Sequence, residues 1–223
     1  MICSIHQPNY WPWMGYFDKI IKSDIFVIYD EAQYEKNGFI NRNLIKTPNG
    51  KLWLTIPIKS KTDSLKIKNV EIANQEWQQK HIKTIKTFYR RSKNYPFLSF
   101  LLDEIYNDQK WAYLSELNIY IIKKVCDLLK IRTRIIKSSE LGLDNYDIVT
   151  ICQKLKVNSY LSGVSGKIYL KEKGLEQRLL NSNINILYQN YEPISYEQLY
   201  GDFISKLSIL DYLFNVDIKT VNV

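Results

Sequence analysis

The sequence predicts an α/β protein built on a mostly parallel sheet. Short apolar runs alternate along the chain with segments whose apolar residues recur at helical spacing, which is the pattern of βαβ units. A purely helical block at about 74–130 interrupts this alternation. Since 223 residues, 45% of them hydrophobic, suffice for one full core, we predict a single domain over 1–223 in which that block is an insertion or subdomain.

The first βαβ unit opens the chain. An apolar run at 2–5 predicts a strand, and Pro8 and Pro12 prevent it from continuing, because each fixes φ and removes a backbone donor. A helical pattern begins at 13–14, and the run IFVIYD at 25–30 predicts the second strand. Polar residues gather where both strands end, which is the edge at which open α/β sheets bind ligands. The sequence therefore predicts a Rossmann-like, nucleotide-binding sheet with its site at this edge.

The later elements continue the alternation. Residues 41–58 are expected to form a hairpin, or a loop that folds over the site, because the turn-prone sequence KTPNGK separates two extended runs. Three amphipathic helices fill the helical block, and strands and helices alternate beyond it. The predicted elements are helices at 77–91, 96–106 and 111–129, a strand at 133–136, a helix at 148–155, a strand at 158–163, a wholly or partly helical segment at 167–181, a strand at 184–191 and a helix at 203–214.

The cysteines and the apolar stretches favour a cytoplasmic protein. Cys3, Cys126 and Cys152 lie in apolar patterns without paired spacing, so we predict buried thiols rather than a disulfide framework or a zinc site. No apolar stretch approaches the ~20 residues that span a bilayer, and no basic leader with a cleavage site opens the chain. We expect no membrane insertion.

The formal net charge of +8 is spread along the chain. Lysines alternate with acidic residues in most segments, which is typical of a solvated surface, so nucleic acid is not the expected partner. A modest positive field steers anions toward a cleft. We expect a small-molecule partner, and the oligomeric state is left open.

His6 directly follows the first strand and is one of two histidines. Beside Gln7 and Asn9, it is placed to act as a general base or to bind a phosphate; alternatively it is a structural residue that holds the following loop. The other histidine, His81, lies in a lysine-rich helical segment and is expected at the surface. No metal-ligand spacing such as HxH or CxxC is present, so no metal site is predicted.

Gly15 and Asp30 are further candidates in the first βαβ unit. Gly15 lies where the first helix begins, and it either allows close packing on the sheet or lets a phosphate approach the helix N-terminus. Asp30 ends the second strand, where an acid can bind a sugar hydroxyl, a ribose or a magnesium-bound phosphate. A structural cap is the alternative for Asp30.

A polar triplet, Asn41-Arg42-Asn43, lies in the expected hairpin segment, with Gln33 and Lys46 nearby. The guanidinium of Arg42 matches the geometry of phosphate or carboxylate, although one arginine beside asparagines also occurs in ordinary turns. If this segment folds over the first loop, the resulting polar pocket is walled by Tyr10, Trp11 and Trp13.

The segment YLSGVSGKIY ends a predicted strand with two small-residue pairs, Ser162-Gly163 and Ser165-Gly166. Small residues leave backbone amides exposed, and successive amides can form an anion-binding nest. A simple turn is the alternative. Because this strand end belongs to the expected ligand edge, we include Ser162 and Gly163 among the substrate-binding residues.

These residues together resemble a known family. The stretches HQPNYWPWMGYFDKI and NRNLIKTPNGKLWLTIPI, and later YLSGVSGKIYL and KLSILDYLF, are similar to the WbqC-like family of bacterial proteins. The likeness covers nearly the whole chain. The positions that fit the pattern are His6, Gln7, Pro8, Asn9, Tyr10, Pro12, Gly15, Tyr16, Asp30, Gln33, Asn41, Arg42, Asn43, Lys46, Pro48 and Pro57.

The resemblance implies a role in the biosynthesis of O-antigen, the lipopolysaccharide chain, or of other surface polysaccharides. The implied activity is transfer of glycine or another acyl group to an amino sugar, for which we expect a nucleotide-linked substrate. The alternatives are a nucleotidyltransferase-like enzyme and a non-catalytic sugar-nucleotide-binding protein of the same pathway. The expected catalytic residues are His6, Asp30 and Arg42, and the expected substrate-binding residues are Gln7, Asn9, Tyr10, Trp11, Gly15, Gln33, Asn41, Asn43, Lys46, Ser162 and Gly163.

The cofactor is left open. The first loop and helix, with Pro12 and Gly15, resemble the adenylyltransferase-type fold, in which a histidine-containing loop holds the phosphates of ATP. The second histidine and the glycine of its HxGH signature are missing here. ATP with Mg²⁺ is therefore one candidate, and such a fold can join a carboxylate to an amine through an acyl-adenylate.

Overall fold

The computed structural model describes residues 1–59, 64–163 and 166–217. It divides the chain into two compact units, which we describe separately. The helices and strands in chain order are β1 (Ile2–His6), α1 (Met14–Ile21), β2 (Ile25–Ile28), β3 (Arg42–Thr47), β4 (Gly50–Thr55), α2 (Glu76–Tyr89), α3 (Tyr95–Asp103), α4 (Leu114–Leu128), β5 (Arg134–Lys137), α5 (Ile148–Lys154), β6 (Ser159–Ser162), α6 (Gly166–Glu172), α7 (Leu175–Asn181), β7 (Asn185–Tyr188) and α8 (Ile209–Asn215).

The first unit comprises Met1–Pro8, Gly15–Ala32 and Ile131–Glu192. Its five strands form one sheet in the order β5-β2-β1-β6-β7, and every neighbouring pair is parallel. Numbered by their order in the chain, the strands of this sheet run 3-2-1-4-5, which is a doubly wound arrangement. The predicted α/β class with a mostly parallel sheet is confirmed.

Helices cover both faces of this sheet. On one face a buried apolar cluster joins β1 to α5, α6 and α7, with Cys3, Ile151, Leu170 and Leu179 among its members. On the other face, Tyr16 of α1 packs edge-on against Phe26 of β2, with ring centroids 5.2 Å apart. Burial on both faces explains why the central strands β1 and β2 appear in the sequence as continuous apolar runs rather than as alternating ones.

The second unit comprises Asn9–Met14, Gln33–Lys130 and the described residues from Pro193 onward. Its strands β3 and β4 form an antiparallel hairpin, which is one of the two arrangements predicted for this segment. The three helices predicted for the helical block are present as α2, α3 and α4. Proline lies in the first turn of α3, where a missing backbone donor costs nothing. The single domain over 1–223, with its insertion at about 74–130, stays a prediction.

One predicted helix boundary was wrong. The last helix begins at Ile209 rather than at 203, because the hydroxyl of Ser208 caps it and accepts from the backbone nitrogen of Leu210 at 3.2 Å. The segment predicted to be wholly or partly helical at 167–181 forms two helices, α6 and α7, which are divided at Gly174, whose φ of 62° lies in the left-handed region. Such a residue ends one helix and lets the chain start another.

The predicted burial of the thiols is confirmed, since Cys3, Cys126 and Cys152 are all buried. In the described ranges, every helix is too short or too polar to cross a membrane.

Candidate functional site

The carboxyl ends of the five parallel strands bring several polar residues of the first unit to one edge of the sheet. His6 ends β1, Asp30 follows β2, Ser138 follows β5, Ser162 ends β6 and Gln189 follows β7. Because the strands are parallel, these residues occupy the same edge. The structure therefore places the first-unit residues of the predicted site where ligands bind in open α/β sheets.

The pairing of strands β1 and β6 ends before this edge, and we call the unpaired stretch between them the gap. Their pairing covers only Ile2 with Ser159 and Cys3 with Tyr160, whereas β1 stays paired with β2 as far as His6. Helix α1 follows β1 on one face of the sheet, and α6 follows β6 and contributes to the cluster on the other face. Neighbouring strands whose following helices lie on opposite faces define the switch point of a doubly wound sheet, which is where such folds bind ligands.

His6 lies beside this gap and is only partly exposed. Its Nδ1 lies 3.1 Å from the backbone oxygen of Gln7, which can only accept, so Nδ1 carries the hydrogen. In the described part of the chain Nε2 makes no hydrogen bond, and the side-chain amide of Gln7 makes none either. Burial, and then the positive charge of Lys19, lower the pKa of His6 to about 3, although its bond to Gln7 opposes this. His6 is therefore neutral at physiological pH, with a bare acceptor on Nε2.

Lys19 of α1 is a functional candidate that the sequence analysis missed. It is 4% exposed, and its ammonium donates to the backbone oxygen of Ile5 at 3.1 Å. Burial lowers the pKa of Lys19 to about 8. A signal was present, because Lys19 lies between Tyr16 and Ile20 in the apolar stripe of this helix. A lysine within such a stripe points toward the core.

Asp30 is 3% exposed and fully engaged by the loop after β5. One carboxylate oxygen accepts from the hydroxyl of Ser138 at 2.7 Å and from the backbone nitrogen of Ser139 at 3.0 Å. The other oxygen accepts from the Ser139 hydroxyl at 2.6 Å. These hydrogen bonds hold two loops of the ligand edge together. Direct contact of Asp30 with a substrate would require that some of them break.

Gly15 and the small residues at the end of β6 also belong to the ligand edge, where their backbone and their small size matter. The oxygen of Gly15 accepts from the side chain of Gln189 at 2.8 Å, which connects α1 to the end of β7. Ser162 is 2% exposed. A Cβ atom at Gly166 would lie 2.1 Å from the Ser162 hydroxyl oxygen, so a larger residue at this position would force that hydroxyl to move. Gly163 has open space around its Cα. Ser165, the other predicted nest residue, lies outside the described residues.

In the second unit, Asn43 joins the first loop to the hairpin. Its side-chain amide donates to the backbone oxygens of Tyr10 at 3.1 Å and of Trp11 at 2.7 Å. The two segments therefore meet, which was the condition for the expected pocket. The rings of Tyr10 and Trp11, however, are 0% and 1% exposed and do not face an open pocket.

Tyr10 and Trp11 instead belong to a buried hydrogen-bonded cluster with His81 and Tyr106. His81 is 6% exposed, so the expectation of a surface histidine was wrong. The residues that share its buried helix face, Trp77, Ile85 and Tyr89, recur every four positions and could have indicated this.

The backbone of Trp11 has a φ of 42°. A bulky residue rarely adopts this left-handed conformation, which costs of order 1–3 kcal/mol. The indole donates to Tyr106 at 2.9 Å and the backbone oxygen of Trp11 accepts from Asn43, so both ends of the residue are held.

Arg42 is partly buried and stacks on an exposed aromatic residue. Its guanidinium carbon lies 4.4 Å from the ring centroid of Trp53, and Nη2 donates to the backbone oxygen of Asn37 at 2.6 Å. Among the described residues its Nε has no hydrogen-bond partner. Asn41 donates to Ile56, and Gln33 is exposed. Arg42 thus keeps donors for an anion, and this role stays a prediction.

Lys46 and Asn9 differ in how much binding capacity they retain. Lys46 is 1% exposed, and its ammonium donates to the side chain of Gln198 at 3.1 Å and to the backbone oxygens of Gly201 at 3.0 Å and Asp202 at 2.5 Å. All three hydrogens are used. Asn9 is 8% exposed, and its side chain makes no hydrogen bond within the described residues.

No cluster of three or more His, Cys, Asp or Glu side chains suited to hold a metal ion occurs in the ranges 1–59, 64–163 and 166–217.

Comparison with known proteins gives one family and one relative. A model of the WbqC-like protein family matches residues 7–223. The uncharacterized protein Rv1507c of Mycobacterium tuberculosis is 34% identical over 218 residues, which are 96% of this chain and 93% of that protein. No solved structure matches.

Proposed function

The chain belongs to the WbqC-like protein family, and we propose that it is a cytoplasmic transferase of bacterial surface polysaccharide biosynthesis. Its reaction would move an acyl or aminoacyl group, such as glycine, onto the amino group of a nucleotide-linked sugar. The resemblance of its motifs supports the pathway and the type of reaction. The edge of the parallel sheet supports a nucleotide-bearing substrate.

The observation that carries the proposal is the separation of β1 from β6 beside His6. The two strands lose their pairing after Cys3 and Tyr160, in a sheet whose strand order is that of doubly wound nucleotide-binding proteins. A sugar nucleotide bound in this gap would place its reacting group at the carboxyl end of β1. His6 is the residue at that position.

His6 has the tautomer that such a transfer needs. When an amine attacks an acyl carbonyl, the new N–C bond forms, the bond to the leaving group breaks, and the nitrogen loses a proton. Nε2 of His6 can accept that proton because Nδ1 already carries the hydrogen donated to Gln7. At a pKa of about 3 it is a weak base in the free protein, so efficient transfer requires that the bound substrate raise this pKa.

The other residues of the first unit support this position. The Gln7 amide and the Ser162 hydroxyl lie at the ends of the separating strands and would orient the sugar. We assign Asp30 a positioning role, since both of its carboxylate oxygens hold the loop after β5. In the second unit, Arg42 is the residue best suited to a phosphate or carboxylate.

A non-catalytic role is the second candidate, and the low pKa of His6 favours it. A binding protein would use the same gap to hold a sugar nucleotide, with Nε2 of His6 as a hydrogen-bond acceptor. No proton transfer would then be needed.

Incubation of the pure protein with a panel of sugar nucleotides, ATP and glycine, followed by mass spectrometry, tests the proposal. A transferase yields a sugar nucleotide whose mass has increased by one acyl group, and the His6→Asn variant should yield far less. Calorimetric binding without product would indicate the binding protein. Neither product nor binding with any member of the panel would refute both candidates.

A further inference from the structure

We infer that Lys19 is the cation of an oxyanion-binding subsite in the gap between β1 and β6, where it takes a phosphate or carboxylate group of the ligand. The inference deepens the proposed function, because it names the charge of the group that binds beside His6. The inference rests on the proposed function only for the identity of the substrate that carries this anionic group.

The position of the Lys19 ammonium is the first argument. The backbone oxygen of His6 accepts from Tyr29 at 2.8 Å, which is the β2 side of the strand. Consecutive carbonyls of a strand point to opposite sides, so the oxygen of Ile5 points toward β6. If the β1–β6 register continued, Ile5 would lie opposite Ser162, but the pairing ends before this point. The oxygen of Ile5 instead accepts from Lys19, which places the ammonium at the open edge of β1.

The hydrogen-bonding capacity of the ammonium is the second argument. Lys19 can donate three hydrogen bonds and is 4% exposed. In the part of the chain that the structure describes, the oxygen of Ile5 is its single acceptor. A buried cation with two uncommitted hydrogens is costly. An oxyanion in the gap would satisfy both hydrogens and the charge.

Nearby carboxylates of the first unit are committed elsewhere. Asp18, on the same helix, pairs with Lys22 at 2.9 Å and accepts from Gln189 at 2.6 Å. Asp24 accepts from the backbone nitrogen of Ile2 at 2.6 Å.

The titratable groups that act electrostatically on Lys19 lie on β1. Asp30 is held by the loop after β5. On β1, the titratable neighbours are His6 and Cys3, and the effect of Cys3 on the pKa of Lys19 is an upward one that burial outweighs. No described carboxylate forms an ion pair with Lys19, so its charge is available to a ligand.

The consequence for His6 is the third argument. The charge of Lys19 is the second cause, after burial, of the low pKa of His6. An oxyanion bound beside Lys19 offsets that charge and so raises the pKa of His6 toward its ordinary range. An anionic ligand would thus turn a weak base into a stronger one at the moment it binds.

Sulfate and acetate are suitable probes, because their charges stay constant over the neutral and alkaline range. We expect calorimetry to show that the wild type binds one of them, and that affinity falls roughly tenfold per pH unit above the pKa of Lys19, about 8. Tighter binding of sulfate indicates a phosphate subsite, and tighter binding of acetate a carboxylate subsite. In NMR spectra of the two histidines, the ring signals of His6 should move on binding while those of His81 stay.

The matched variants are Lys19→Met, which keeps the apolar stem, and Lys22→Met in the turn directly after the same helix, whose lysine is exposed. Lys19→Met should bind the anion at least about tenfold more weakly and without pH dependence, whereas Lys22→Met should behave as the wild type. Sodium chloride at equal ionic strength controls for screening.

Four results would overturn the inference: no binding of either anion by the wild type, a wild-type affinity that is flat with pH, wild-type affinity in Lys19→Met, or a response at His81 instead of His6. If Lys19→Met does not fold, the wild-type pH profile and the histidine signals decide the question alone. Failure of the transferase proposal is distinguishable, because anion binding is measured without turnover.

Discussion

The hydroxyl oxygen of Tyr10 lies 2.9 Å from Nδ1 of His81, and this contact fixes the direction of a buried chain of hydrogen bonds. Nε2 of His81 lies 3.1 Å from the carbonyl of Thr55, so Nε2 carries the hydrogen and Nδ1 accepts from Tyr10. The oxygen of Tyr10 then accepts from Tyr106 at 2.5 Å, and that of Tyr106 accepts from the Trp11 indole at 2.9 Å. This hydrogen-bonded chain begins at the Trp11 indole, which can only donate, and ends at the Thr55 carbonyl, which can only accept.

Acid should destabilise the protein through His81. Burial lowers the pKa of this residue from 6.5 to about 4, so between these values the unfolded chain takes up a proton that the folded chain refuses. The free energy of unfolding therefore falls as pH decreases through this window, by up to ~1.4 kcal/mol per pH unit from this one group. Urea unfolding at several pH values, for the wild type and His81→Gln, should show a shallower decrease in the variant. Equal slopes would contradict the prediction.

Removing one hydroxyl from the buried chain should cost more than removing an exposed one. Tyr106→Phe leaves the Trp11 indole without its acceptor, and we expect a loss of ~1–3 kcal/mol in the free energy of unfolding. Tyr10→Phe should cost a similar amount, and the double variant less than the sum, because both act on one chain. Urea titrations measure these differences. Tyr113→Phe, at a residue that is 39% exposed, is the control and should change little; an equal loss there would refute the assignment.

Replacing His6 tests its role in proton transfer. His6→Asn keeps a side-chain donor near the carbonyl of Gln7 but removes the acceptor at Nε2. For an enzyme we expect turnover to fall by ~10²-fold or more, while the thermal midpoint changes little. Product formation and a melting curve are measured on the same sample. Full activity in His6→Asn, or loss of the folded state, would remove His6 from the chemistry.

Arg42→Lys separates a ligand-binding arginine from a structural one. If both branches of the guanidinium hold a phosphate or carboxylate, lysine keeps the charge but loses the fork, and affinity for a sugar nucleotide should weaken by roughly 1–3 kcal/mol. Calorimetry measures this change. Arg132→Lys, at an exposed position, serves as the matched control. Equal affinities for the wild type and Arg42→Lys would show that the role of Arg42 is structural, through its stacking on Trp53 and its hydrogen bond to Asn37.

The sequence was most informative about the parallel sheet. Strands β1 and β2 are buried on both faces and therefore appear as apolar runs, and the prolines at 8 and 12 mark the end of β1. The start of α1 was predicted within a residue, because its apolar stripe begins there. The start of α8 was not, since the capping hydroxyl of Ser208 interrupts an apolar pattern that runs on in both directions.

The site was harder to predict, because its chemistry depends on which polar groups are buried. His81 lies in a lysine-rich helix whose composition looks like a surface, and Lys19 is a charged residue within an apolar stripe. Both are buried by tertiary packing. Conversely, Tyr10 and Trp11 were expected to line an open pocket, but both are buried in a core. Periodicity indicates the face on which a residue lies, whereas the hydrogen-bond partners that decide its role come from distant segments.

The pairing of β1 with β6 also has a consequence for synthesis on the ribosome. The central strand of the sheet is made early, yet one of its two neighbours follows much later: Met1 and Asn158, which bond at the start of this pairing, are 157 positions apart. Until β6 emerges, one edge of β1 has no partner, and an unpaired apolar strand is prone to associate with other chains. We therefore expect nascent chains that end before β6 to depend on chaperones, and completed chains to be released from them.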